Sequence, residues 1–201
     1  MMTKEAANHF RKTDKILYNL MQKVGPIDSI KPRKSSVYFQ SLCREIIGQQ
    51  LNGKVARVIF ERFTKLFPGQ NITPSHVLKL PGAKIRAAGM AWSKVEAIRD
   101  LAKNTINRNL KLNVLHNLGD EQVINELTKV KGIGPWTAQM FLMFTLGRED
   151  VFSNKDLGLQ KAIRKLYKVE PTPEKLEMIT RKWSPYRTYA SRVLWKIQDK
   201  E

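Results

Sequence analysis

Apolar residues recur at the spacing of an α-helix from Ile16, Leu17, Leu20 and Val24 through Leu194 and Ile197, while strand-like alternation is almost absent. This predicts an all-α chain. Glycine and proline cut the periodicity into short pieces at Gly25-Pro26, Pro32, Asn52-Gly53, Pro68-Gly69, Pro81-Gly82, Gly119, Gly132 to Pro135, Gly147, Pro171 and Pro185. No piece is long enough for a coiled coil. Thr73-Pro74 and Thr172-Pro173 read as helix starts, and Ser93 with Glu96 as a capping box ahead of Val95, Ile98 and Leu101. At 201 residues the chain suits one domain, or two intimate lobes, with a core of its own.

Charge narrows the partners. Thirty-six Lys and Arg against 18 Asp and Glu leave a formal +18, which points to a polyanion, above all nucleic acid. There is no apolar run of about 18 residues and no secretion leader, so the expectation is an intracellular protein that does not enter a membrane. Cys43 is the only cysteine, which excludes an internal disulfide and an iron–sulfur cluster held by cysteine thiolates. It lies in the apolar run from Phe39 to Ile47 and reads as a buried thiol. His9, His76 and His116 lack the spacing of a metal site.

The chemistry concentrates in two places. Gly132 and Gly134 allow a turn whose amides point outward, and Pro135 pre-sets the first position of the next helix. Val123, Ile124, Leu127 and Val130 form an apolar face before the turn, and Ala138, Phe141, Leu142 and Thr145 form another after it. The turn is therefore exposed at the joint of two packed helices, where a helix N-terminus can seat a phosphate without reading sequence. Asp156 follows Ser153-Asn154-Lys155 and precedes the helix of Leu157, Leu159, Ile163 and Leu166. It is an N-cap by position, a role that needs no chemistry, although the helix dipole also favours a negative group there.

Several segments in order resemble the helix-hairpin-helix DNA glycosylases of base excision repair, and within them the 3-methyladenine DNA glycosylase II branch. They are Ile46-Ile47-Gly48-Gln49-Gln50-Leu51, Ile85 to Met90 with Ser93 and Lys94, Gly132 to Ala138, Asp150-Val151-Phe152 leading to Asp156, and Trp183 to Arg187 with Tyr189, Ala190 and Trp195. The likeness runs from about residue 38 onward. It implies a two-lobed all-α fold with the active-site cleft between a middle lobe, about 36–130, and a second lobe of about 1–35 plus 131–201, with the hairpin at 127–140. It also implies a monomer acting on double-stranded DNA that contains a damaged base, in the nucleoid of a prokaryote or the nucleus of a eukaryote.

Residue by residue, the resemblance makes Asp156 the catalytic carboxylate. A fixed negative charge beside the sugar stabilises the positive charge that builds there, and alkylated purines already carry the charge that lets them leave. Trp136 and Trp195 match positions that line the base pocket, where an indole can stack on a cationic base. Tyr189 is a weaker candidate, and Met140 stands where a relative has a pocket tyrosine. Trp183 reads as structural and Trp92 as core. Strand-cutting relatives carry a lysine just after the Gly-Pro pair. Trp136 stands there, so the chain resembles a monofunctional enzyme. The amides of Gly132 and Gly134, the Thr137 hydroxyl and Lys131 are expected on the DNA backbone, and the carbonyls of Thr128, Val130 and Ile133 around a monovalent cation, Na⁺ or K⁺. No other cofactor is expected. Gln50, then Leu51, are the candidates to fill the gap left by the extruded nucleotide. Two rivals stay open: a non-catalytic DNA-binding module, and a glycosylase of the same fold for a neutral lesion such as uracil or an oxidised purine.

Overall fold

The structure, a computed structural model, describes residues 3–198, and among them every regular element is a helix. None of these helices is long and apolar enough to cross a membrane. The chain divides into two compact units, one formed by the residues up to Pro32 and from Gly147 onward, the other by Arg33–Leu146. The second boundary thus falls after Leu146 and not near residue 130. The hairpin and the helix behind it belong to the middle unit.

In the terminal unit, α1 (Lys4–Thr13) and α2 (Lys15–Val24) accompany α10 (Leu157–Tyr167), α11 (Pro173–Thr180) and α12 (Arg187–Gln198). Phe10, Leu17, Leu159, Ile163, Trp183, Tyr189, Val193 and Leu194 are fully buried in one core. That core encloses a carboxylate. Asp14 caps α2 through Oδ1, which accepts the Leu17 N–H at 3.0 Å, while Oδ2 accepts the Tyr167 hydroxyl at 2.7 Å and the Trp183 indole N–H at 2.9 Å. Three donors offset the desolvation of one buried acid. Trp183 is structural, as predicted.

In the middle unit, α7 (Trp92–Ile106) packs against α3 (Tyr38–Gly48), α5 (Pro74–Lys79) and α6 (Gly82–Arg86). α3 also touches α4 (Gly53–Thr64) and α9 (Pro135–Phe144), and α8 (Asp120–Leu127) packs on α9. Leu42, Cys43, Ile46 and Ile47 line the inner face of α3 with no exposure, and burial pushes the Cys43 thiol far above its ordinary value, so it is inert.

Thr73 and Thr172 cap their helices as the sequence predicts, accepting the N–H groups of His76 and Lys175. The Ser93 box does not form. The chain enters α7 two residues earlier, with Ala91 as an extended N-cap lacking any side-chain bond, and Glu96 turns to Lys131 instead. Trp92 is likewise not core. It is 50% exposed, with its ring beside Gly82 and under the Arg86 guanidinium at 5.4 Å.

Candidate functional site

Asp156 is delivered by a tightly held segment of the terminal unit. Arg187, the first residue of α12, donates from Nε to Asp150 Oδ1 at 2.8 Å and from Nη2 to Oδ2 at 3.1 Å, and Ser184 Oγ donates to Oδ2 at 2.8 Å. Burial alone would raise the Asp150 carboxyl, but these bonds hold it below its ordinary value. The Val151 N–H donates to Thr188 Oγ1 at 3.0 Å. Fixed there, the chain turns into α10 with Asp156 as N-cap.

Oδ1 of Asp156 accepts two bonds, from the Leu159 N–H at 2.8 Å and from the Trp195 indole N–H at 3.2 Å. The first is the predicted cap. The second is something a cap does not require: a directed donor from another helix, which fixes the rotation of the carboxylate. Asp156 is 8% exposed and Trp195 is partly buried. The sequence offers Trp195 only as a stacking face, whereas the structure commits its N–H to the carboxylate.

Tyr189 does not fit a base-pocket role. It has no exposed surface, its hydroxyl donates to Glu149 at 2.9 Å and accepts the Ile30 N–H at 3.2 Å, and its ring belongs to the core of the terminal unit.

The hairpin lies between α8 and α9 in the middle unit. Gly132 sits at φ +82°, and a Cβ there would come within 2.6 Å of the Ala97 Cβ, so both backbone and packing demand glycine. Gly134 is different. Its φ of −96° suits any residue and a Cβ would meet nothing within 4 Å. Gly134 is the N-cap of α9, a position that tolerates glycine without requiring it.

The remaining predicted residues divide. The Lys131 N–H donates to Asp100 Oδ2 at 2.8 Å, and its exposed ammonium donates to Glu96 at 2.9 Å, a hydrogen bond that raises the lysine pKa. Thr137 is 2% exposed and its Oγ1 accepts a bond from Gln49 Nε2 at 2.9 Å, which leaves the hydroxyl its own proton to donate. Met140 is 3% exposed, and Trp136 at the head of α9 is partly so. Gln50 and Leu51 are exposed between α3 and α4, with Gln50 left-handed at φ +56°.

Thr128, Val130 and Ile133 all lie in the turn after α8. The Val130 carbonyl accepts the Ile133 N–H at 3.1 Å and keeps a second lone pair. Neutral carbonyls suit a monovalent cation. Among the described residues, no group of three or more His, Cys, Asp or Glu could hold a metal ion.

Two residues that the sequence offers only as members of matching segments, with no role of their own, have a structural part here. Gln49 Nε2 donates to the Gly132 carbonyl at 2.8 Å as well as to Thr137, and Lys94 Nζ donates to the carbonyls of Ile47 and Gln49, both at 2.8 Å.

Residues 43–186 match the HhH-GPD superfamily base excision DNA repair protein family. The chain is similar to DNA-3-methyladenine glycosylase 1 of Schizosaccharomyces pombe, at 30% identity over 196 residues covering 96% of this chain and 86% of that protein. Its fold is similar to the S. pombe 3-methyladenine DNA glycosylase solved in complex with abasic DNA, with a TM-score of 0.86 and 28% identity over 98% of this chain and 97% of that one. A Bacillus halodurans DNA-3-methyladenine glycosidase aligns with a TM-score of 0.76 and 33% identity, covering 96% and 88% of the two chains.

Proposed function

The chain belongs to the HhH-GPD superfamily of base excision DNA repair proteins, and from that membership we propose that it is a monofunctional DNA N-glycosylase releasing alkylated purines to leave an abasic site. The observation that carries this reading is the carboxylate of Asp156, oriented at Oδ1 by the Leu159 amide and the Trp195 indole. As the glycosidic bond breaks, its electron pair leaves with the base and positive charge gathers on the sugar. A preoriented carboxylate stabilises that charge, aligns the water that adds to the sugar carbon and accepts the proton that the water loses. A base such as 7-methylguanine or 3-methyladenine is already cationic, so it departs neutral without a proton from the protein. Trp136 offers an indole face to such a base.

In this reading the amides of Gly132 and Gly134 take a phosphate oxygen, and the absence of a Cβ at Gly134 supports a close backbone approach. Lys131 adds charge beside the turn. The carbonyls of Thr128, Val130 and Ile133 would hold a monovalent cation, whose charge would draw the phosphate to the turn. Gln50 fills the vacated stack, its left-handed backbone supporting a role outside regular packing. Trp136 occupies the position after the Gly-Pro pair and brings no amine, so no Schiff base forms.

A panel of duplex oligonucleotides, each with one defined lesion, tests the reading by the free base released. Release of alkylated purines without strand cleavage, and no adduct on borohydride treatment, is the expected result. Binding without release from any lesion would favour the non-catalytic module.

A further inference from the structure

The loop that carries Gln50 is held from two directions by side chains outside it. α3 ends at Gly48, and helix C-termini leave carbonyls without intrahelical partners. Lys94, reaching from the first turn of α7, places its ammonium on two carbonyls of this end, those of Ile47 and Gln49, each at 2.8 Å. A cation is the favoured partner for that pole of a helix. The second hold comes from Gln49, whose side-chain amide spans to the hairpin, donating to the Gly132 carbonyl at 2.8 Å and to Thr137 Oγ1 at 2.9 Å. On the far side, Asn52 caps α4 through the Val55 N–H at 2.9 Å. Between these anchors Gln50 is exposed and left-handed.

We propose that Lys94 and Gln49 are positioning residues that hold the Gln50 loop in fixed register with the Gly132–Gly134 hairpin, so that insertion into the duplex and phosphate capture occur as one event. The inference rests on the reading of Gln50 as the gap-filling residue. The pieces are complementary: Lys94 sets the main chain of the loop, and Gln49 ties that main chain to the turn that grips the backbone. Burial lowers the Lys94 pKa, which marks an ammonium drawn into the protein and not one left in solvent.

A stable fold needs no such register, whereas extrusion of a stacked base does, because unstacking and unpairing cost a few kcal/mol that a wedge must offset. The test compares single-turnover release of 7-methylguanine from a fully paired duplex with release of the same lesion placed opposite an abasic gap, where extrusion is nearly complete beforehand. Lys94→Met is expected to slow release from the paired lesion about tenfold more than from the gapped one, with a matching loss of the fluorescence rise of a 2-aminopurine beside the lesion. Adding Lys94→Met to Gln50→Ala should slow the paired reaction no further. Equal slowing in both contexts, additivity with Gln50→Ala, or no effect of Gln50→Ala itself would overturn the proposal. Should Lys94→Met not fold, Gln49→Leu carries the same comparison and decides it. A parent protein that releases no base even from the gapped lesion would instead sink the glycosylase reading.

Discussion

The Trp195 indole N–H donates to Oδ1 of Asp156 at 3.2 Å, on the same oxygen that accepts the Leu159 amide at 2.8 Å. The tryptophan thereby belongs to the machinery that aims the carboxylate. Trp195→Phe keeps most of the ring and deletes the donor. Hydrogen bonds to charged groups contribute about 1.5–3 kcal/mol, so single-turnover base release should fall roughly tenfold to a hundredfold while DNA affinity changes little. An unchanged release rate would show that the bond does not serve the reaction.

The two hairpin glycines should respond differently to alanine. At Gly132 the left-handed backbone and the 2.6 Å approach to Ala97 make the change destabilising by about 2–4 kcal/mol, seen as a lower urea midpoint. Gly134→Ala should fold normally, because its φ is ordinary and its surroundings are open. It should weaken DNA binding on every sequence and reduce the slope of log affinity against log salt by about 0.9 for each phosphate that the turn ceases to neutralise. Loss of stability at Gly134, or an unaltered salt slope, would argue against a phosphate at the turn.

Glu45, half-buried on α3, gives a pH signature. Burial pushes its carboxyl up to about 7 against the opposing pull of Arg44 and Arg33. That lies above the roughly 4.3 of an unfolded glutamate, so the folded protein binds more protons between about pH 4.5 and 7. The associated stability is present in full below about pH 4.5 and is lost as pH rises through about 7. Urea midpoints measured from pH 5 to 8 should decline more steeply in the parent than in Glu45→Gln, by up to about 2–3 kcal/mol. Parallel profiles would contradict the assignment.

What is legible in the sequence is local. Thr73, Thr172 and Asp156 cap helices because an N-cap bond joins residues three apart, and the Gly132 turn follows from glycine's own backbone freedom. What is not legible joins distant residues. Gln49 meets Gly132 across 83 positions and Trp195 meets Asp156 across 39, and no periodicity encodes such pairs. Tyr189 misleads for a related reason, since the burial of a tyrosine whose hydroxyl has two partners depends on packing and not on motif. Ser93 fails as a cap although its local pattern is correct, because the helix begins two residues earlier than that pattern implies, at Trp92, whose ring lies beside Gly82.

The account stands on the carboxylate of Asp156, and Asp156→Asn isolates it. Asparagine caps a helix as well as aspartate does, so the Leu159 bond and the fold should survive, with thermal midpoint and DNA affinity close to the parent's. Single-turnover release of 7-methylguanine from a duplex oligonucleotide is predicted to fall at least about a hundredfold. Release at the parental rate from a folded, DNA-bound Asp156→Asn protein would contradict it.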